Sequence, residues 1–156
     1  RWLCDKAARA SAHLIIGRDG ALIQLASFNT VTWHAGQSEW RGVSGLNNHS
    51  IGIELDNCGP VARVNGRWRS LSIGQDYVDG DVVELVHKNG GPTRGWLLYS
   101  PTQTAMLEDI CRELIVEYPT LIDVLGHDDV APSRKLDPGP ALPLDVIRSR
   151  LFGREN

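Results

Sequence analysis

Cysteine is scarce in this chain of 156 residues: Cys4, Cys58 and Cys111 are an odd set, widely spaced, with no CxxC pair. That argues against a disulfide scaffold and against a cysteine zinc site. Each is read as a free buried thiol, Cys111 on the apolar stripe of a helix. No apolar run approaches the roughly 20 residues of a membrane span. Excess basic charge is missing as well. Lys and Arg number 16 against 19 Asp and Glu, a formal net charge of -3, so nothing points to a nucleic-acid or anionic-membrane surface. The chain has no internal repeat and no low-complexity run. It opens on Arg1-Trp2-Leu3-Cys4 without Met or a signal-peptide pattern, and the native start is expected upstream. With 42% hydrophobic and 22% charged residues, the remainder suits one globular domain with a real core.

Residues 12–16 (AHLII) and 21–27 (ALIQLAS) read as strands joined by the turn signal Asp19-Gly20. Residues 31–35 read as a further short extended piece, and 36–49 as loop. Residues 50–56 (SIGIELD) alternate: Ile51, Ile53 and Leu55 share one face, Gly52, Glu54 and Asp56 the other. The Gly-rich stretch 57–100 reads as an elaborated loop region with one or two short strands. Ser100-Pro101 is a helix start, and Leu107, Ile110, Cys111, Leu114, Ile115 and Tyr118 make a helical stripe that ends at Pro119. Residues 121–125 read as a strand and 143–152 as a second helix. Strands interleaved with helices imply an α/β fold with a mixed sheet.

Ionisable groups crowd the segment 126–140, GHDDVAPSRKLDPGP. It follows the expected strand 121–125, where open α/β sheets place their sites. Pro138 restricts the backbone of Asp137, and a stiffly held carboxylate suits a metal ligand. His127 and Asp137 therefore have two readings: ligands to zinc, or a strand cap and an Asx-turn. Lys135 shares the side of Asp137 in an extended segment and would stabilise an oxyanion there. Glu54 lies either on a solvated face or in a cleft, where it would be a general base. His34 either lines a pocket or is a packed or surface histidine. His13 is read as a core histidine and His87 as exposed. Asp128 and Asp129 are read as solvated or turn-forming, and Arg134 as a surface ion-pair partner.

Four stretches carry a family resemblance: SAHLIIGRDG (11–20), WHAG (33–36), NNHSIGIELDN (47–57) and GHDDVAPSRKLDPGP (126–140). In this order they resemble the zinc-dependent N-acetylmuramoyl-L-alanine amidases of the amidase-2 family, and more distantly phage lysozyme-type amidases and peptidoglycan recognition proteins. The resemblance implies a mixed sheet flanked by helices, and Zn2+ bound by His127 and Asp137. It implies Glu54 as catalytic acid and base, Lys135 as stabiliser of the transition state and His34 beside the substrate. Peptidoglycan or a muropeptide is the implied substrate, cut between N-acetylmuramic acid and L-alanine. One departure stands out: the family's first zinc-ligand histidine, in a V-I-H-x-T pattern on an N-terminal strand, has no counterpart here. A single domain over 1–156 that lacks this strand is expected, with an apolar groove and an unpaired edge. His34 and His49 are the only other histidines considered as substitutes. The competing expectation is a peptidoglycan-binding domain without hydrolytic activity.

Overall fold

The computed structural model describes residues 10–153. The reading of Arg1 to Cys4 lies outside the described residues. Strands β1 (Leu14–Ile16) and β2 (Leu22–Gln24) form the expected hairpin. Its turn closes through Gly20 N–H to Gly17 O at 3.0 Å, and Asp19 Oδ1 accepts from Ala21 N–H at 3.0 Å. Next come β3 (Glu39–Trp40) and β4 (Val43–Ser44), a small ribbon, and then β5 (Ile53–Leu55). Strand β5 lies parallel to β1, with Glu54 opposite Ile15. The order β2-β1-β5 makes this sheet mixed, and with the helices the chain is α/β.

The stretch 57–100 is more regular than its glycines suggest. It holds β6 (Pro60–Val64), β7 (Arg67–Arg69), β8 (Asp76–Tyr77), β9 (Val82–Leu85) and β10 (Arg94–Leu97). They form an antiparallel sheet in the order β8-β7-β6-β10-β9, which corrects the expectation of one or two strands. Asn65-Gly66 turns β6 into β7 with φ of 51° and 79°, the left-handed pair that a tight hairpin needs. Trp68 fills the space over Gly95, where a Cβ would meet its ring at 2.5 Å.

Helix α1 (Pro101–Glu117) begins as expected, with Ser100 Oγ accepting from Gln103 N–H at 3.1 Å. Its stripe turns inward: Leu107 and Cys111 pack with Ile16, Leu142, Leu144 and Ile147. Burial pushes the Cys111 thiol up to about 12, so it stays protonated. Gln103, fully buried, donates from Nε2 to Ile16 O and Asp56 O, which fastens α1 to the ends of β1 and β5. Helix α2 (His127–Val130) is short, and α3 (Leu144–Phe152) closes the core. Residues 121–125, expected as a strand, are irregular. Leu121 N–H turns back to Tyr118 O, and Asp123 holds Arg148 through both carboxylate oxygens at 3.0 and 3.2 Å. Residues 31–35 likewise form no strand. No helix among the described residues is long and apolar enough to cross a membrane.

Candidate active site

Asp137 returns to His127 because the two arms of the 126–140 loop are tied together. Asp128 N–H donates to Asp137 O at 2.8 Å. Asp129 Oδ2 accepts from Gly126 N–H at 2.8 Å and starts α2 at His127. The outcome is direct hydrogen-bond contact between His127 Nδ1 and Asp137 Oδ2. His127 Nε2 lies 2.6 Å from His34 O. A carbonyl only accepts, so Nε2 carries a proton and Nδ1 is the nitrogen aimed at Asp137. The His127 ring has its pKa raised, chiefly by the Asp137 hydrogen bond, against the opposing effect of burial. For Asp137, burial favours the neutral acid, but the bond and charge of His127, with Lys135, outweigh it and lower the pKa. Lys135 Nζ stands 3.7 Å from Asp137 Oδ1.

Remove the proton from Nδ1, and an imidazole nitrogen and a carboxylate oxygen converge on one point. That is part of a zinc donor set. The His34 carbonyl on the far nitrogen gives the outer support that ligand histidines usually have. Catalytic zinc takes three protein ligands, and among the described residues no cluster of three His, Cys, Asp or Glu side chains forms. His34 and His49 do not complete one.

One cavity of about 750 Å³ is bordered by Glu54, His127, Lys135, Asp137, His34 and Tyr99. It continues along β5, over Ile53, Leu55, Leu107, Cys111 and Leu114, as an apolar groove. In the described sheet β5 is an edge. Ile53 and Leu55 pack on the core, which turns Glu54 to the other face. Among the described residues the backbone of Glu54 is held by the β1–β5 ladder, while its carboxylate has no hydrogen bond or ion pair.

The His34 ring is occupied structurally as well. Its Nδ1 meets Thr32 Oγ1 at 2.8 Å and its Nε2 meets Ser50 Oγ at 2.7 Å. Burial and the neighbouring His13 lower its pKa to about 4, so it is neutral near pH 7. His13 is the core histidine expected: Nδ1 accepts from Gly52 N–H at 2.9 Å, and Nε2 donates to Thr30 O at 2.9 Å. A Cβ at Gly52 would lie 2.3 Å from His34 Cγ. Gly52→Ala is therefore expected to cost about 1–3 kcal/mol by overpacking and to displace His34. Thermal denaturation would show a midpoint several degrees lower; an unchanged midpoint would mean that the ring gives way freely.

Several residues that matter here were given no site role from the sequence, although Asn47, Asp128 and Arg134 lie inside the quoted stretches. Asn47 Oδ1 accepts from His34 N–H and Ala35 N–H at 3.1 and 2.7 Å, and so sets the carbonyl that supports His127. Arg134 is no surface ion-pair partner: its guanidinium donates to Ala35 O and Gln37 O at 3.0 and 2.9 Å. Asp128, expected to be solvated or turn-forming, is buried, 2% exposed, within α2. His87, expected outside, is 5% exposed and lies 3.1 Å from Asp128 Oδ2.

Comparison with known proteins agrees with this geometry. The family model for N-acetylmuramoyl-L-alanine amidase, amidase-2, matches residues 1–140. The 1,6-anhydro-N-acetylmuramyl-L-alanine amidase AmpD of Escherichia coli is 33% identical over 145 residues, 92% of this chain and 58% of that protein. The N-acetylmuramoyl-L-alanine amidase AmiD of Escherichia coli is 34% identical over 83% of this chain and 38% of its own length. The chain thus spans about half the length, or less, of these relatives. Among solved structures, AmiD from Escherichia coli with anhydro-N-acetylmuramic acid-L-Ala-D-gamma-Glu-L-Lys matches with a TM-score of 0.68 at 28% identity, over 97% of this chain and 51% of that one. AmpDh3 from Pseudomonas aeruginosa with anhydromuramic pentapeptide matches with a TM-score of 0.64 at 25% identity, over 92% and 51%. On sequence and fold together, the chain belongs to the amidase-2 family of N-acetylmuramoyl-L-alanine amidases.

Proposed function

We propose that this protein is a zinc-dependent amidase that hydrolyses the amide between N-acetylmuramic acid and L-alanine in peptidoglycan or its muropeptides. The observation that carries the reading is the meeting of Glu54, His127, Lys135 and Asp137 on one cavity. The substrate named for the AmiD structure and the anhydromuramic pentapeptide bound in the AmpDh3 structure support the choice of bond.

His127, through Nδ1, and Asp137, through its carboxylate, would hold the zinc, with a third protein ligand from outside the described residues. When bound, zinc makes water acidic near neutral pH and polarises a carbonyl. Glu54 accepts the proton of the attacking water and returns it to the leaving amine of L-alanine. The Lys135 ammonium faces the negative charge that grows on the former carbonyl oxygen. The His34 carbonyl keeps the His127 ring in one tautomer, while the ring of His34 shapes the wall of the substrate cleft. The bond broken joins the lactyl carbonyl to the alanine nitrogen; the products are a carboxylate and a free amine.

The competing reading, recognition of peptidoglycan without hydrolysis, draws on the finding that the described residues bring only two metal donors together. Incubation of the full-length protein with an anhydro-muropeptide separates the readings. The expected result is release of the peptide with a new α-amino group, lost after dialysis against a chelator and restored by zinc. Binding without release of peptide would move the protein to the recognition class.

A further inference from the structure

The connection between β9 and β10 reaches the 126–137 loop, and the contact of His87 with Asp128 there is buried. Asn89 N–H donates to His87 Nδ1 at 3.1 Å, so the ring proton sits on Nε2. That one N–H faces two acceptors, Asp128 Oδ2 and Leu136 O, each at 3.1 Å. Asp128 adjoins His127, and Leu136 adjoins Asp137. A single side chain therefore grips the neighbour of each proposed zinc ligand. Lys88 Nζ lies 2.8 Å from Asp128 Oδ1 and 2.6 Å from Asp129 Oδ1. Asp128 Oδ1 is shielded from solvent and has no hydrogen bond of good geometry, so the Lys88 ammonium is its charge partner. Burial lowers the Lys88 pKa, but the two carboxylates outweigh it and raise the net value. Asn89 Nδ2 adds a bond to Asp128 O at 2.8 Å.

Behind this contact Trp96, 1% exposed, lies with its ring 5.7 Å from the His87 ring and tilted 31° to it. It also fills the space over Gly139, where a Cβ would meet its ring at 2.4 Å. The sheet β6–β10 thus presses on the ligand loop at both ends.

We infer that His87 and Lys88 are positioning residues, which hold Asp128 and Leu136 so that His127 and Asp137 keep the spacing of metal ligands. The inference rests on the zinc-amidase reading of that pair. A buried carboxylate stripped of its partners is strongly unfavourable. Loss of either residue is therefore expected to let Asp128 swing outward, and its N–H, bonded to Asp137 O, to let go.

The test uses the full-length protein with Lys88→Met, His87→Leu and His87→Gln. Lys88 is 43% exposed in its side chain, so Lys88→Met is expected to fold; His87→Gln keeps a donor near the place of Nε2. Zinc affinity is read by competition with a chelator, and exchange of the Asp128 amide by NMR on metal-free protein. Lys88→Met and His87→Leu are expected to weaken zinc binding by about ten- to hundredfold, as loss of an outer support does. Their Asp128 amide is expected to exchange about tenfold faster or more. In turnover kcat falls while KM holds, and His87→Gln keeps most of what His87→Leu loses on each readout. Zinc affinity and exchange both at the parent's level in Lys88→Met would overturn the inference. Faster exchange with unchanged zinc affinity would overturn it too, since the clamp would then serve only the fold. A parent that binds no zinc, yet whose variants exchange faster, would sink the metal reading and leave the clamp standing.

Discussion

Asp137→Ala is expected to leave the protein folded and nearly free of zinc, with amidase activity below detection. Asp137 is half exposed and sits in a loop, so its removal opens no cavity in the core. What disappears is one of the two donors that meet in the described site. His127 loses the bond that raises its pKa, and a zinc left with two of its three protein ligands is held poorly. Two measurements check this. Elemental analysis should give about one zinc per parent chain and little in the variant. Added zinc should stabilise the parent by about 2.7 kcal/mol at a hundred times its dissociation constant, a rise of roughly 5–10 °C for a chain of this size. The variant should show no such rise. Asp137→Cys offers a chemical control, because a thiolate is also a zinc ligand, and zinc content should return. A full zinc complement in Asp137→Ala would remove Asp137 from the ligand set.

How much of this was legible in the sequence depended on whether the determining interaction was local. The β1–β2 hairpin announces itself through Asp19-Gly20, and α1 through Ser100-Pro101 and its apolar stripe. Both are decided within a few residues. That residues 126–140 bring His127 and Asp137 together was legible for a different reason: their proline and ionisable residues resemble a family pattern. The β6–β10 sheet was not. Its strands are two to five residues long, too short to show alternation, although Asn65-Gly66 was a hairpin signal in plain view. His87 and Asp128 were misjudged together. Asp128 stands between His127 and Asp129, and His87 is followed by Lys88-Asn89-Gly90, so each looks exposed alone; each is buried with its polar atom against the other, 41 positions away. A residue whose burial depends on a distant partner carries no sign of it in its own neighbourhood. Residues 121–125 failed the opposite way: the apolar run suggests a strand, but the Asp123–Arg148 pair fixes another path.

Glu54→Ala separates chemistry from binding more sharply than any ligand substitution. Glu54 sits in the middle of β5, opposite Ile15, and its carboxylate makes no hydrogen bond or ion pair with another described residue. Its neighbours Ile53 and Leu55 carry the packing. A carboxylate in a strand, in a cavity, without a structural partner contributes little to stability. Its removal should leave the melting temperature and zinc content close to those of the parent. If it moves the proton between the attacking water and the leaving amine, kcat should fall by about 10²–10⁴-fold. The affinity for an anhydro-muropeptide, measured by calorimetry with uncleaved ligand, should change by less than about threefold. That pattern belongs to a group that acts only in the transition state. Should affinity fall in step with kcat, Glu54 would be a substrate contact, and the proton carrier would have to be sought elsewhere on the cavity wall. Lys135 could not fill that place while it remains an ammonium beside Asp137, for it then has no lone pair to accept the water's proton.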